Sequence, residues 1–232
     1  MVVTVANPPA VAVMARVPGV EPVKSRLHAA LTPARATELY RCFLLDRLDA
    51  LASVPAIAGV VAFTPARARA RMAALAPAGL RLVAQKGKDL TERLTALFAQ
   101  LLGEGHPAVL AMDSDSPTLP MAYVADAART LAGDEADVVV GPSDDGGYYL
   151  IGLRVPRPQL FADVPWSTPA VLDVTLARAR SLGLRLRLLP AWFDVDREAD
   201  LARLRAGASA GPASATPYRP PRTLAFLETE LP

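Results

Sequence analysis

Four short stretches of this 232-residue chain combine residue types that can do chemistry on charged substrates. The first, residues 16–26, sets Lys24 and Arg26 two residues apart in a Pro- and Gly-containing loop that starts at Arg16. Two cations and several backbone N–H groups in such a loop can surround phosphate oxygens. The same composition also suits a solvated basic loop ahead of a helix, and it is not a P-loop, because the Gly-x-x-x-x-Gly-Lys-Ser/Thr spacing is missing. The second stretch, Asp113-Ser114-Asp115-Ser116-Pro117, carries two carboxylates. These suit a hard divalent cation, since Mg²⁺ takes one or two carboxylates and completes its octahedron with phosphate oxygens and water. The alternative is that Asp115 or Ser116 only shapes the turn into the next helix. The third, Asp194-Val195-Asp196, repeats the Asp-x-Asp spacing just before Glu198 and Asp200, whose charges favour the positive end of a helix dipole. Asp196 is then either a helix cap or part of a second carboxylate wall facing the same cation. The fourth, residues 141–149, contains Asp145-Gly146-Gly147, a turn signal whose paired glycines also let backbone approach a ligand closely.

What is missing narrows the chemistry. The two histidines, His28 and His106, have no zinc-site spacing, and no Gly-x-Ser-x-Gly elbow occurs. No Gly-x-Gly-x-x-Gly follows the first expected strand, which argues against a dinucleotide cofactor. Cations, carboxylates and close backbone remain, a set suited to phosphate-bearing substrates bridged by a metal. With 25 basic and 23 acidic residues the net charge is +2, without the broad excess that attracts nucleic acid. The single cysteine, Cys42, cannot close an internal disulfide, as expected of a protein in a reducing cytoplasm. The apolar start, residues 2–15, has no preceding Lys or Arg and is interrupted at Asn7-Pro8-Pro9, so it reads as a buried strand rather than a signal sequence. Elsewhere the longest uncharged apolar stretch, residues 56–63, falls far short of the roughly 20 residues that cross a bilayer.

The elements that must position these loops follow from periodicity. A valine-rich run at 11–17 reads as a strand buried on both faces. From Pro33, the apolar residues Leu39, Phe43, Leu44, Leu48 and Leu51 recur at three- and four-residue spacing, as one side of a helix requires. Strands then alternate with helices: strand 57–63, helix 66–75, strand 80–84, helix 90–102, strand 108–112, helix 121–131 and strand 137–140. Past a turn at 144–147, strand 148–153, a helix ending at 182 and strand 185–189 complete a less regular half. The expectation is one α/β domain over 1–206, with a mainly parallel sheet, helices on both faces and a mixed C-terminal half. A linker over 207–221 and a short C-terminal element over 222–232 complete the chain. Ligand crevices in such sheets open outside the carboxyl ends of the strands, where these loops fall.

In this order the motifs resemble the nucleotide-diphospho-sugar transferase superfamily, whose members share the Rossmann-like GT-A fold. The resemblance runs through Pro18-Gly19 with Lys24-Ser25-Arg26-Leu27, then Gly87-x-Asp89-Leu90-x-x-Arg93 and Asp115-Ser116-Pro117-x-Leu119. It continues through Gly141-Pro142 with Asp145-Gly146-Gly147-Tyr148-Tyr149-Leu150-Ile151-Gly152, Trp166-Ser167-Thr168, and Asp194-Val195-Asp196 with Asp200-Leu201. It is nearest to small bacterial glycosyltransferase-like proteins described as radical-SAM or selenodomain-associated transferases. More distantly it is similar to 2-phospho-L-lactate guanylyltransferases, through the Lys-Ser/Thr-Arg-Leu loop. The chain departs from the family at Asp113, where a small residue is expected, so Asp115 is the firmer ligand. It departs also in the extra length at residues 20–23.

The resemblance implies a nucleotide-bound donor whose diphosphate meets Lys24, Arg26 and a divalent Mg²⁺ or Mn²⁺ held by Asp115 and by Asp194 or Asp196. Arg16 and Asp113 join the nucleotide-binding set, Asp89 and Arg93 lie near the nucleoside, and Asp145, Gly146, Gly147 and Trp166 border the sugar or acceptor. The expected activity is glycosyl transfer from a nucleotide-diphospho-sugar to a small acceptor. The alternatives are nucleotidyl transfer from an NTP with release of pyrophosphate, and a nucleotide-binding module without turnover.

Overall fold

The computed structural model describes residues 7–207 and 216–230. Valine-rich runs with no polar face become strands covered on both sides, as in β1 (Ala10–Arg16), β2 (Ala58–Thr64) and β5 (Val138–Pro142). With β3 (Arg81–Ala84), β4 (Val109–Met112), β6 (Tyr148–Leu153) and β7 (Leu186–Leu188) they form a seven-stranded sheet in the order β3-β2-β1-β4-β6-β5-β7. Every pairing is parallel except those of β6, which inserts antiparallel between β4 and β5. The expected mixed C-terminal half is this one reversed strand, returned from β5 by the short 143–147 turn.

Helices cover both faces. One core joins the sheet to α1 (Pro33–Ala52), α4 (Met121–Ala132), α6 (Glu198–Arg205) and α7 (Pro221–Glu230), through Leu39, Phe43, Leu48, Val124, Leu131 and Leu204. The opposite core joins it to α3 (Leu90–Gly103) and α5 (Val171–Ser181), through Leu94, Phe98, Leu101 and Leu176. At the start of α1 Thr32 accepts from Arg35 N–H and Pro33 needs no donor, which explains why the helix begins there.

Two expectations need correction. The helix expected over 66–75 divides into a 3₁₀ turn, Ala66–Ala68, and a short α2, Arg69–Leu75, with no side-chain cap at either start. The strand expected to stop at Val140 runs on through Gly141 to Pro142, where its register with β6 shifts. An added Cβ at Gly141 would lie 2.3 Å from the Tyr149 ring, so the strand continues there only because the residue is glycine. Part of the expected linker, residues 208–215, lies outside the described residues, as do 231–232 of the terminal element and the first six residues of the chain. Within that linker span, Tyr218 N–H bonds to Thr118 O at 3.0 Å, and α7 already starts at Pro221. The buried Asp46 carboxylate of α1 fastens this helix, accepting from Arg222 N–H at 3.1 Å and Thr223 N–H at 2.8 Å, where the first turn has unpaired donors. Among the described residues no helix is long and apolar enough to cross a membrane.

Candidate active site

A cleft of about 670 Å³ opens at the carboxyl ends of β1 to β4, lined by Arg16, Lys24, Arg26, Thr64, Gln85, Arg93, Asp113, Asp115, Trp166 and Asp196 among others. The basic loop reaches it by a tight route: Leu27 is fully buried and anchors a single 3₁₀ turn, Ser25–Leu27, while Lys24 before it takes a left-handed conformation at φ 52°. This bends the Lys24 side chain across the cleft to the far end of the sequence. Its Nζ donates to Val195 O at 2.8 Å and pairs with Asp115 Oδ1 at 2.7 Å and Asp196 Oδ1 at 2.8 Å. Only 3% of the Lys24 side chain is exposed, against 33% for Asp115 and 32% for Asp196. Burial alone would lower the pKa of this ammonium, but the two carboxylates outweigh it and hold it well above the usual lysine value. Arg26, half exposed, extends the cationic side by bonding Asp196 Oδ2 at 3.0 Å. Burial likewise works against ionised Asp196, and Lys24 and Arg26 reverse it, keeping the carboxyl below its ordinary range.

The two Asp-x-Asp segments meet through backbone, Val195 N–H donating to Asp115 O at 2.9 Å. Within each pair the roles divide. Asp113 is turned into its own loop, accepting from Ser116 Oγ at 2.7 Å and from the N–H groups of Asp115 and Ser116 at 3.3 Å, while it still lines the cleft. Burial and then the neighbouring Asp115 and Asp194 push its pKa up to about 7. Asp194 accepts from Ser143 Oγ at 2.9 Å and is absent from the cleft lining, with burial and then Asp196 and Asp145 raising its pKa to about 6. Asp196 is not the cap of α6. Arg197 takes that position, and Asp200 accepts from the N–H groups of both Asp196 and Arg197.

The remaining expected residues fall in two groups. Arg93 lines the cleft and donates from Nε to Gly87 O at 3.1 Å, whereas Asp89 caps α3 by accepting from Glu92 N–H at 2.9 Å. Trp166 lies between this side and the 145–147 turn, its Nε1 donating to Thr91 Oγ1 of α3 at 2.8 Å and its ring meeting Tyr148 edge-on at 6.2 Å between centroids. Asp145, Gly146 and Gly147 do not line the cleft. Asp145 accepts from Gly147 N–H, and Gly146, at φ 88°, packs so close to Pro169 that an added Cβ would meet its carbonyl at 2.2 Å.

Three residues that sequence reasoning passed over support the site. The Tyr40 hydroxyl accepts from Arg16 N–H at 2.9 Å and lies 3.1 Å from Ser114 Oγ, its pKa raised to about 12 by burial and then by Asp115. Arg47, fully buried on α1, donates to Ser116 O and Leu119 O and braces the acidic turn from beneath. Gln85, at the end of β3, donates from Nε2 to Ala62 O at 2.7 Å and Ala15 O at 3.3 Å. A charged residue in an apolar helix face is a visible signal for Arg47, but Tyr40 and Gln85 carry none in a single sequence.

Among the described residues no group of three or more His, Cys, Asp or Glu is arranged to hold a metal ion. Of the three carboxylates that line the cleft, Asp113 is engaged by its own turn, which leaves Asp115 and Asp196, each about a third exposed, as the donor set. All-oxygen donors of that number fit Mg²⁺ or Mn²⁺ completed by phosphate oxygens and water, so the residues present suit such an ion.

Residues 47–168, just over half of the chain, match a family model described as an uncharacterized protein conserved in bacteria, DUF2064. No curated protein matches the chain. Among solved structures, one from Desulfovibrio desulfuricans G20, described provisionally as a nucleotide-diphospho-sugar transferase, is 29% identical with a TM-score of 0.83. The match covers 96% of this chain and 94% of that one. CMP:2-keto-3-deoxy-manno-octonic acid synthetase complexed with CTP is similar at 16% identity and TM-score 0.56, covering 86% of this chain and 98% of that one. The 4-diphosphocytidyl-2C-methyl-D-erythritol synthase of Anaerococcus prevotii is similar at 10% identity and TM-score 0.57, over 87% and 96% of the two chains. The Rossmann-like fold that the motifs implied is the fold of this chain.

Proposed function

The chain belongs to the DUF2064 family, and from its cleft we propose that it is a transferase acting on a nucleotide-bound donor, with glycosyl transfer from a nucleotide-diphospho-sugar as the leading reading. The observation that carries this is the cluster of Lys24, Arg26, Asp115 and Asp196 at the carboxyl ends of parallel strands. Placed there, the Lys24 ammonium and the Arg26 guanidinium receive the donor diphosphate, and its negative charge grows as the sugar bond breaks. In most reactions of this kind, preorganised cations aimed at developing charge lower the barrier more than any other single effect. Asp115 and Asp196 would hold a divalent cation, which when bound adds a Lewis acid to the same diphosphate. The small acceptor enters the cleft beside Trp166, whose ring is kept from turning by its bond to Thr91. The likeness in sequence and fold to the Desulfovibrio protein, described provisionally as a nucleotide-diphospho-sugar transferase, supports a nucleotide-using transferase.

Nucleotidyl transfer is the second reading, supported by the Lys24-Ser25-Arg26-Leu27 turn, whose two cations would suit a leaving pyrophosphate. The two are separated by product. Incubation with sugar nucleotides and with NTPs, in Mn²⁺, is expected to release NDP from a sugar nucleotide. Pyrophosphate released from an NTP in its place transfers the assignment to nucleotidyl transfer. Binding of nucleotide with neither product, across a panel of phosphorylated and unphosphorylated small acceptors, refutes the enzymatic reading.

A further inference from the structure

We propose that Gln85 sets the base specificity of this cleft by offering one fixed hydrogen-bond acceptor, so that the donor is a nucleotide whose base carries an exocyclic amino group. The proposal rests on reading the cleft as a nucleotide site. Gln85 directly follows β3, where its backbone N–H continues the ladder to Phe63 O at 2.9 Å. Its side-chain Nε2 donates to Ala62 O of β2 at 2.7 Å and to Ala15 O of β1 at 3.3 Å. Backbone carbonyls can only accept, so turning the amide over would set Oε1 against two acceptors. The orientation is therefore chemically determined: the nitrogen is spent on the sheet, and Oε1 is left over. Among the described residues no donor bonds to Oε1, and Gln85 lines the cleft.

Its place along the cleft gives that oxygen a use. The Gln85 side chain reaches from the end of β3 across β2 to Ala15 O of β1, the strand beside β4, so its amide lies one to two strand spacings, about 5–10 Å, from the end of β4 that carries the Asp115 turn. On this proposal a nucleotide whose phosphates lie at Lys24 and Arg26 extends its base along the same cleft to Gln85. Thr64, Leu90 and the cationic Arg93, which is held to Gly87 O, line the cleft with it, so the Gln85 oxygen is the acceptor offered beside them. A fixed acceptor pairs with the amino group of cytosine but opposes the O4 acceptor that uracil carries at the same position. It distinguishes guanine from hypoxanthine more weakly, through a bond that only the guanine 2-amino group makes, since hypoxanthine carries a C–H and no opposing acceptor there.

Calorimetric titration of the full chain with CTP, UTP, GTP and ITP in Mn²⁺ tests this, since each pair differs at an amino group. The expected result is a preference of about 10-fold for CTP over UTP or for GTP over ITP. In Gln85→Leu that ratio should fall to within about 2-fold, through weaker binding of the amino-bearing nucleotide and, for UTP, through tighter binding once the opposing acceptor is gone. Gln85→Met, closer in length, provides the same reading if the leucine variant does not fold. A purely structural Gln85 would lower thermal stability in both variants and leave the ratio untouched. An unchanged ratio in the variants, or no preference in the wild type, overturns the proposal while leaving the nucleotide site standing. Failure of all four nucleotides to bind overturns the nucleotide reading of the cleft and this proposal with it.

Discussion

Replacing Lys24 with methionine removes an ammonium that neutralises two carboxylates at once, and the consequences separate by magnitude. Breaking a fully buried ion pair costs about 3–5 kcal/mol. Asp115 and Asp196 each keep about a third of their side chains exposed, so water relieves part of the mismatch and a loss of about 1–3 kcal/mol is expected. Nucleotide affinity should fall at least about 10-fold, since the phosphates lose their most deeply set cation. Mn²⁺ affinity measured without nucleotide, by electron paramagnetic resonance, should rise, because the ammonium no longer competes for the two carboxylates. Unchanged Mn²⁺ affinity would show that Asp115 and Asp196 are not metal ligands. Residue types made this cluster legible: Lys24, Arg26, Asp115 and Asp196 were all recognisable from the chain alone. Their arrangement was not, because the bond from Lys24 to Asp196 spans 172 positions, a separation over which local spacing carries no information. Asp194 and Asp196 have equal claims on paper, and in the fold Asp194 is engaged by the Ser143 hydroxyl just after β5 and lies outside the cleft lining.

Elements were legible where periodicity or composition left one solution. The valine runs and the apolar stripe from Leu39 to Leu51 are of that kind, and they gave both the strands and the helix that carry the site. Reversal of β6 between β4 and β5 was visible only as irregularity, because strand direction depends on pairing across the sheet and not on side-chain pattern. At the far edge, β7 has three residues and exposes Leu188, so apolar burial contributes little to its attachment. Charge contributes instead: the Asp137 carboxylate accepts from Arg185 N–H at 2.9 Å, Nε at 3.1 Å and a terminal guanidinium nitrogen at 2.8 Å, joining the starts of β5 and β7. These bonds hold the Asp137 pKa down at about 2, against about 3.9 in an unfolded chain. A depressed carboxyl stabilises the fold above the unfolded value and loses that contribution as pH falls through the folded one, so the sensitive window runs from pH 4 to pH 2. Asp137→Asn should cost less than about 1 kcal/mol at pH 7, the ceiling for an exposed pair, and should flatten the loss of stability between pH 4 and pH 2. Urea titrations at pH 7, 4 and 3 test this, and parallel curves for variant and wild type would mean that the pair contributes nothing to β7.

At the scale of the whole molecule, the site is itself one of the ties that close the fold. Lys24 to Val195 and Val195 to Asp115 bring the first, middle and last parts of the sheet's connections to one point. A ligand that settles on this point binds only the native chain, because the unfolded chain cannot bring those segments together. A nucleotide at 100 times its dissociation constant then adds about 2.7 kcal/mol of stability. For a domain of this length each kcal/mol shifts the melting temperature by about 2–4 °C, so a rise of about 5–10 °C is expected with a well-bound nucleotide. If the two carboxylates hold a divalent cation under the phosphates, the rise should be larger in Mn²⁺ than in EDTA at equal nucleotide concentration. Asp115→Asn keeps the shape of the turn and the Val195 bond, which uses the backbone carbonyl, but lacks the charge. In that variant the difference between Mn²⁺ and EDTA should shrink to less than about 1 °C, while part of the nucleotide shift itself survives through Lys24 and Arg26. Equal shifts in Mn²⁺ and EDTA for the wild type would instead mean that the Lys24 ammonium does without a metal what the pair was assigned to do with one. The closure of the cluster around that ammonium makes this the alternative that the melting experiment decides.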